Sequence, residues 1–191
     1  MLSLNGRPME AYAFDDAVRP GATEAVAELR GRGFALEMIS GDQRPVVARL
    51  AGALGIEEAH AAMLPADKIA RIRALAGEGR KVLMVGDGIN DAPALAAAHV
   101  SIAPAGAADI GREAADFVFL HESLEAVPFA LAVARAARSL IRQNFALAAI
   151  YNLVALPVAI AGLVTPLIAA LAMSGSSLLV VGNALRLGRG R

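Results

Sequence analysis

The ten residues Gly86–Leu95, which read GDGINDAPAL, decide the fold and the chemistry of this chain. They follow the apolar segment Lys81–Val85, which predicts a buried strand. They lead into a predicted helix with Pro93 in its first turn, where a helix tolerates proline. Asp87 and Asp91 lie four positions apart between the strand and the helix. This order predicts a strand whose end carries two carboxylates.

The acidic turn indicates a site for a hard cation. The two carboxylates and the Asn90 amide oxygen suit Mg²⁺, which prefers oxygen ligands and shares its coordination shell with phosphate. Gly86 and Gly88 allow the backbone to approach a ligand closely. The same residues also fit a plainer interpretation, a surface turn in which Asp91 caps the next helix, and one side chain can do both.

The flanking residues place this turn in an α/β fold. Short apolar segments alternate with amphipathic helices over about the first 120 positions. Strands are predicted at Glu10–Phe14, Ala35–Ile39, Lys81–Val85, Val100–Ala103 and Phe117–Leu120. The alternation predicts a mostly parallel sheet covered by helices, with ligands bound beyond the carboxyl ends of the strands.

Two further segments point to phosphate at the same edge. Ser40-Gly41-Asp42 ends a predicted strand, so its hydroxyl and backbone N–H groups can hold phosphate oxygens. Lys68, at the start of a predicted helix, can bring a positive charge to the same phosphate. Either feature alone is usually part of an ordinary surface. In this order, on an α/β pattern, they predict one phosphate and metal site.

The C-terminal part of the chain differs, because it holds two uncharged apolar runs, Phe145–Val164 and Leu167–Leu185. A helix needs roughly 20 apolar residues to cross the hydrocarbon layer. Arginines precede the first run and follow the second, and the turn between the runs has no basic residue. By the positive-inside rule this predicts a transmembrane hairpin with both ends in the cytoplasm. The alternative is a pair of buried helices in a soluble bundle.

Polar residues inside these runs are candidates for function, since polar groups are costly in a bilayer. Tyr151 and Asn152 lie near the centre of the first run, and Met173 and Ser177 share one helical face in the second. The thioether of Met173 is a soft ligand suited to Cu(I). The alternative is structural: Ser and Gly allow close helix packing, and Tyr and Asn bond across the hairpin.

Charge and composition exclude several classes of function. Residues 1–143 carry a net charge of −3, so no clustered basic face supports binding of nucleic acid. The chain has no cysteine. Disulfides, zinc–thiolate sites and a cysteine nucleophile are therefore excluded.

The motifs taken together resemble a known family. Ser-Gly-Asp at 40–42, Pro-x-x-Lys at 65–68 and the run Gly86–Leu95 are similar to the haloacid dehalogenase-like phosphorylation domain of P-type ATPases. Asp16–Pro20 resembles the hinge through which the nucleotide-binding insert returns to that domain. The resemblance implies an α/β fold of a haloacid dehalogenase-like parallel sheet with flanking helices, an incomplete phosphorylation domain, followed by a two-helix transmembrane hairpin.

The resemblance also implies site residues and cofactors. It implies catalytic roles for Ser40, Gly41, Asp42, Lys68 and Asn90, and magnesium coordination by Asp87 and Asp91. The complete pump would use Mg²⁺ and ATP and would form an aspartyl-phosphate intermediate.

The apolar runs resemble the last two helices of copper-transporting members. The shared features are Tyr151-Asn152, the stretch from Met173 to Ser177 and the sequence NALRL at 183–187. The resemblance implies contact of Tyr151, Asn152, Met173 and Ser177 with a transported Cu(I). Zinc and cadmium pumps would show a Lys and an Asp in these spans. His99 stands where the family usually has Asp, which is closer to the subgroup that supplies copper to cbb-type cytochrome oxidase.

The family pattern divides the chain into six predicted regions. These are 1–14, the end of the nucleotide-binding insert; 15–124, the C-terminal portion of the phosphorylation domain; 125–143, a linking helix; 144–164 and 165–187, transmembrane helices; and 188–191, a cytoplasmic tail. The implied location is the inner membrane, as a multi-pass protein. The implied partners are the lipid bilayer, the N-terminal portion of the pump and a copper chaperone.

Several family motifs do not occur in this sequence. There is no Asp-Lys-Thr-Gly-Thr, Thr-Gly-Glu or Cys-Pro-Cys. We therefore expect a piece of a longer pump or half of a split pump, inactive in ATP hydrolysis by itself, because covalent catalysis needs its nucleophile. The alternatives are a membrane-tethered phosphatase of the same fold with Asp15 or Asp16 as nucleophile, and a non-catalytic subunit of a split pump.

Overall fold

The computed structural model describes residues 2–4, 7–10, 18–87, 89–107 and 109–189, which form two compact units, 1–128 and 129–191. The strands are β1 (Leu2–Leu4), β2 (Arg7–Glu10), β3 (Glu37–Ile39), β4 (Glu58–His60), β5 (Leu83–Val85), β6 (Val100–Pro104) and β7 (Phe117–Phe119). The helices are α1 (Ala22–Gly31), α2 (Arg44–Leu54), α3 (Pro65–Gly77), α4 (Ala92–Ala97), α5 (Asp109–Ala114), α6 (Ala126–Ile160), α7 (Pro166–Ala184) and α8 (Arg186–Arg189).

The strands of the first unit form two parallel sheets and one antiparallel hairpin. β3 pairs with β4, β5 pairs with β6, and β6 pairs with β7, in each case in parallel. The N-terminal strands β1 and β2 pair antiparallel with each other. Each parallel neighbour is reached through a helix, as a β-α-β connection requires. The predicted α/β fold with parallel strands and flanking helices is confirmed.

One apolar core connects the two parallel sheets. Ile72 of α3, Met84 of β5 and Leu95 of α4 belong to its buried cluster, and Ile39 of β3 packs against it. Helix α3 packs on α4, and α4 packs on α5. The end of β3 and the end of β5 therefore lie over a shared core, although no ladder joins these two strands among the described residues.

The sequence predicted some strands incompletely. One sheet was expected, whereas the structure divides the parallel strands between two sheets. Strand β4 was not predicted, because Glu-Ala-His has neither an apolar run nor an alternating pattern. The strand expected at Glu10–Phe14 is observed only up to its first residue, where β2 ends, and its remaining residues lie outside the described part.

The second unit contains the two predicted apolar helices. Helix α6 is continuous from Ala126 to Ile160, so one helix covers most of the predicted linking helix and the first apolar run. Gly162 adopts a positive φ of 75° in the turn, and the Ile168 N–H donates to Oγ1 of Thr165 at the start of α7. Both α6 and the helical stretch Pro166–Gly188 are long and apolar enough to cross a membrane.

Candidate magnesium and phosphate site

The acidic turn lies at the carboxyl end of β5, as the sequence predicts. Asp87 follows the strand closely, and Asp91 ends a short 3₁₀ turn at the start of α4. A Cβ atom at Gly86 would lie 3.1 Å from Asp91 Cβ and 3.3 Å from its Oδ2. A larger residue at position 86 would therefore crowd the Asp91 carboxylate, which explains the glycine.

Lys68 lies beside this turn. Its Nζ is 2.5 Å from Oδ1 of Asp91, although the two residues are 23 positions apart. Lys68 is only 7% exposed, and a lysine so buried needs a paired carboxylate. Asp91 makes no side-chain capping bond to α4. Asp91 therefore occupies the N-cap position of α4 without a side-chain cap, and its carboxylate joins α3 to the acidic turn.

Arg19 pairs with the other carboxylate, which the sequence did not reveal. Its Nη2 lies 2.5 Å from Oδ2 of Asp87, and both side chains are partly exposed. Arg19 belongs to the segment Asp16–Pro20, whose resemblance to a hinge gave no indication of this contact. Across a separation of 68 positions, only the folded chain brings the two charges together.

Ser40, Gly41 and Asp42 form a hydrogen-bonded turn after β3. The Ser40 hydroxyl donates to Asp42 Oδ2 at 2.8 Å, and the Asp42 N–H donates to Ser40 Oγ at 3.1 Å. The Ser40 N–H donates to the His60 carbonyl at 2.9 Å. These bonds fix the turn and leave Gly41 exposed.

The Ser40 turn and the Lys68–Asp91 pair share the core beneath them. Ile39, directly before Ser40, packs against the cluster that contains Ile72, one turn after Lys68. No hydrogen bond joins Ser40 to Lys68 or Asp87 within the part of the chain that the structure describes. The structure therefore places the predicted residues in two corners over a shared core, the Ser40 turn after β3 and the Lys68–Asp91 pair beside the end of β5.

The acidic corner fits a magnesium ion that also contacts phosphate. Mg²⁺ is usually held by one or two carboxylates, waters and phosphate oxygens, and Asp87 and Asp91 supply such a pair. Asn90 is exposed in the same turn. Among the described residues no group of three His, Cys, Asp or Glu side chains surrounds a metal position. A site closed by protein ligands alone, as structural zinc requires, does not match this donor set.

A cavity of about 350 Å³ opens beside the two carboxylates. Arg19, Asp87 and Asp91 border it on one side, and apolar side chains such as Val26 and Phe119 form much of the remaining wall. The carboxylates therefore face accessible space.

A second charged cluster lies between β3, β4 and α3, and the sequence gave no indication of it. Arg71 donates from Nε to Glu37 Oε1 at 2.7 Å and from Nη2 to Glu37 Oε2 at 3.0 Å. His60 Nε2 lies 3.1 Å from Glu37 Oε1, outside hydrogen-bonding geometry. The hydrogen bond and the negative charge of Glu37 raise the pKa of Arg71 above its ordinary value.

The cargo residues, which are those predicted to contact the transported Cu(I) in the second unit, make fewer side-chain contacts than the residues of the acidic turn. Ser177 Oγ donates to the Met173 carbonyl at 3.0 Å, which shows that the two residues share a helix face. Met173 is 69% exposed within the unit, Asn152 is exposed and Tyr151 is half-buried.

The alternative role of the polar residues, in which Ser and Gly allow close helix packing and Tyr and Asn bond across the hairpin, is only partly supported. Among the described residues, a hydrogen bond between the two helices runs from Asn183 Nδ2 to Asn144 Oδ1 at 2.9 Å, and none involves the Tyr151 or Asn152 side chain. A Cβ at Gly175 would meet no atom within 4 Å. Close packing at this glycine is therefore absent within the described hairpin.

Comparison with known proteins identifies the family. Residues 2–99 match the family of haloacid dehalogenase-like hydrolases, and the chain belongs to that family. Among relatives, it is 60% identical over 187 residues to the nitrogen fixation protein FixI of Rhizobium leguminosarum bv. viciae, covering 98% of this chain and 25% of FixI. It is 42% identical to a copper-exporting P-type ATPase of Mycobacterium tuberculosis, covering 97% of this chain and 24% of that protein.

Solved structures agree with these relatives. A zinc-transporting PIB-type ATPase in its E2.Pi state matches with a TM-score of 0.84 and 37% identity, over 90% of this chain and 28% of that one. The chain spans about a quarter of the length of the curated relatives it matches. The predicted resemblance to the C-terminal part of a heavy-metal P-type ATPase is confirmed.

Proposed function

We propose that this chain forms the C-terminal part of a copper(I)-transporting P-type ATPase. It supplies the magnesium and phosphate side of the phosphorylation site and the last two membrane helices. The observation that carries the proposal is the Lys68–Asp91 contact of 2.5 Å. It joins a phosphate-binding cation to a magnesium-binding carboxylate, in a chain whose similarity to P-type ATPases extends over 97% or more of its length.

The chemistry follows from the charges at this edge. Asp87 and Asp91 would hold Mg²⁺, which supplies positive charge to a transferring phosphoryl group. Lys68 would neutralise a phosphate oxygen, and the Ser40 turn would offer the backbone N–H of exposed Gly41 and, on release from Asp42, the Ser40 hydroxyl to the others. The carboxylate that receives the phosphate from ATP belongs to the part of the pump beyond this chain.

The proposed cargo is Cu(I), with Met173 as the soft ligand and Tyr151, Asn152 and Ser177 nearby in the membrane. The support comes from copper-exporting relatives and from the lack of Lys and Asp in both apolar runs. Identity to FixI, at 60%, exceeds the 42% to the copper exporter. His99, which stands where the family usually has Asp, favours a function in supplying copper to cbb-type oxidase.

The proposed location is the inner membrane, with both ends of this chain in the cytoplasm. The two apolar helices and the membrane ATPase relatives support placement in a bilayer. The arginines beyond both apolar runs support the orientation. A copper chaperone would be the source of the ion.

A chimeric pump tests the proposal. This chain replaces the matching quarter of R. leguminosarum FixI, and formation of the acid-stable phosphoenzyme from ATP is measured with and without Cu(I). We expect copper-stimulated phosphorylation in the chimera and no ATP hydrolysis by the chain alone. A chimera that reaches the membrane but forms no phosphoenzyme would refute the proposal.

The phosphatase alternative is tested on the chain itself. Asp15 and Asp16, its candidate nucleophiles, lie outside the described residues. We expect no magnesium-dependent turnover of p-nitrophenyl phosphate, and no difference between the wild type and Asp15→Asn.

A further inference from the structure

The salt bridge between Glu37 and Arg71 joins the two elements that carry the phosphate-binding groups. Glu37 begins β3, and Ser40 follows the end of that strand three positions later. Arg71 lies in α3, three positions after Lys68. The bridge therefore connects the strand that presents Ser40 to the helix that presents Lys68.

The bridge is well formed. Both carboxylate oxygens of Glu37 accept from the Arg71 guanidinium, at 2.7 and 3.0 Å. Such a two-point contact fixes orientation as well as distance. The Glu37 side chain is 18% exposed and that of Arg71 is 33% exposed, so water screens the pair only in part.

A hydrophobic contact on the same side of β3 supports the bridge. Glu37 and Ile39 are two positions apart and share a face of the strand, and Ile39 packs against the cluster that holds Ile72. Arg71 thus contacts the first residue of β3, and its neighbour Ile72 belongs to the cluster against which the last residue of the strand packs. Ser40 comes directly after Ile39.

Helix α3 is also attached to the acidic turn. Lys68 contacts Asp91 in the acidic turn, so α3 is attached to the turn through Lys68 and to β3 through Arg71. The Leu64 N–H donates to Asp67 Oδ2 at 3.0 Å and orders the start of the helix. One rigid helix therefore relates the Ser40 corner to the magnesium corner.

We propose that Glu37 and Arg71 are a positioning pair that sets the Ser40 turn against Lys68, so that both engage one phosphoryl group. Neither residue contacts the phosphate. This inference rests on the proposed function, because it needs a phosphoryl group bound at this edge. A misplacement of about 1 Å can reduce a rate about 100-fold, so loosening the pair should weaken phosphate binding measurably.

The test uses the chimeric pump and its phosphorylation by inorganic phosphate. We expect Glu37→Gln to raise the phosphate concentration for half-maximal phosphoenzyme about tenfold, while the Cu(I) concentration for half-maximal stimulation stays unchanged. Arg71→Lys keeps the charge but loses the two-point contact, and should give about a threefold increase. Exchange of the charges, Glu37→Arg with Arg71→Glu, should restore part of the phosphate affinity.

The matched control is Glu28→Gln, the same substitution in an ion pair with Arg32 at the C-terminal end of α1, which involves neither β3 nor α3. It should leave the half-maximal concentrations of phosphate and of Cu(I) unchanged. Wild-type phosphate affinity in both Glu37→Gln and Arg71→Lys overturns the inference. The inference is also overturned if the variants lose phosphate and Cu(I) affinity equally and the charge exchange restores neither. That result indicates a structural role only. If the unmutated chimera forms no phosphoenzyme, the proposed function fails instead, and this inference with it.

Discussion

The charged and polar residues of the candidate site in the first unit pair with one another, whereas Met173 and Asn152, two candidate cargo residues of the second unit, are exposed. Lys68 and Asp91, Arg19 and Asp87, and Ser40 and Asp42 each form contacts at 2.8 Å or less. In the hairpin, Met173 is 69% exposed, and α7 has no buried residue. The site of the first unit is thus organised by the chain itself. Of the candidate cargo residues of the second unit, Met173 and Asn152 are exposed, Tyr151 is half-buried and Ser177 bonds only to the Met173 carbonyl among the described residues.

The largest expected effect tests whether the first unit holds the reaction site. Asp87→Asn removes the charge of a proposed magnesium ligand, and we expect phosphoenzyme formation from ATP in the chimera to fall more than about 100-fold. Asp109→Asn is the control, because Asp109 pairs only with Arg112 of its own helix among the described residues and is exposed. Phosphorylation of Asp87→Asn at the wild-type level would show that the acidic turn does not bind the catalytic metal.

The next effect tests whether the Lys68–Asp91 pair also stabilises the first unit. Lys68→Met leaves the mostly buried carboxylate of Asp91 without its cation, so the free energy of unfolding should fall by about 3 kcal/mol. Chemical denaturation of the full chain in detergent, followed by circular dichroism, measures it.

The exposed Lys81 provides the control, since Lys81→Met should change stability little. If Lys68→Met and Lys81→Met have equal stability, the contact contributes no energy to the fold, and the contrast between the two units is weaker than the geometry suggests.

A smaller effect concerns the cargo residues of the second unit. Met173→Ala removes the proposed soft ligand, and we expect the Cu(I) concentration for half-maximal phosphorylation to rise about tenfold. Stability should not change, because the Met173 side chain is mostly exposed within the hairpin.

Leu171→Ala, at a similarly exposed position of α7, should leave the copper dependence as in the wild type. An identical copper response in both variants would remove Met173 from the transport site.

The smallest effect tests the one polar contact described between the helices of the hairpin. Asn144→Ala removes the acceptor of the 2.9 Å hydrogen bond from Asn183. Polar contacts between membrane helices contribute on average about 0.6 kcal/mol, so a loss of this size is expected in reversible unfolding of the chain in detergent. Asn152→Ala, which removes no such bond, should have no effect. A loss above about 2 kcal/mol would show that the hairpin is as strongly self-organised as the first unit.

Much of the fold could be predicted from local sequence patterns. The apolar segment before Gly86 and the proline after Asp91 were enough to place a strand, a turn and a helix, and the structure has β5, a 3₁₀ turn and α4 there. Long uncharged runs likewise predicted α6 and α7, because their length and composition leave few other structures. Strand β4 was missed, since its three residues form a strand only by pairing with β3.

The sequence could not predict which distant charged residues form ion pairs. Arg19 and Asp87 are 68 positions apart, and Arg71 and Glu37 are 34 apart. A surface arginine and an arginine in an ion pair look the same in a sequence.

The sequence by itself determined the class of fold, the acidic turn, the candidate phosphate-binding residues and the two membrane-length helices, because each depends on neighbours within one or two turns of chain. Only the tertiary structure decided which charges meet. It placed Lys68 on Asp91 and Arg71 on Glu37, because α3 packs over the core shared with α4 and β3, and it brought Arg19, before α1, to Asp87, after β5. Electrostatic energy depends on distance in space, and separation along the chain does not determine that distance.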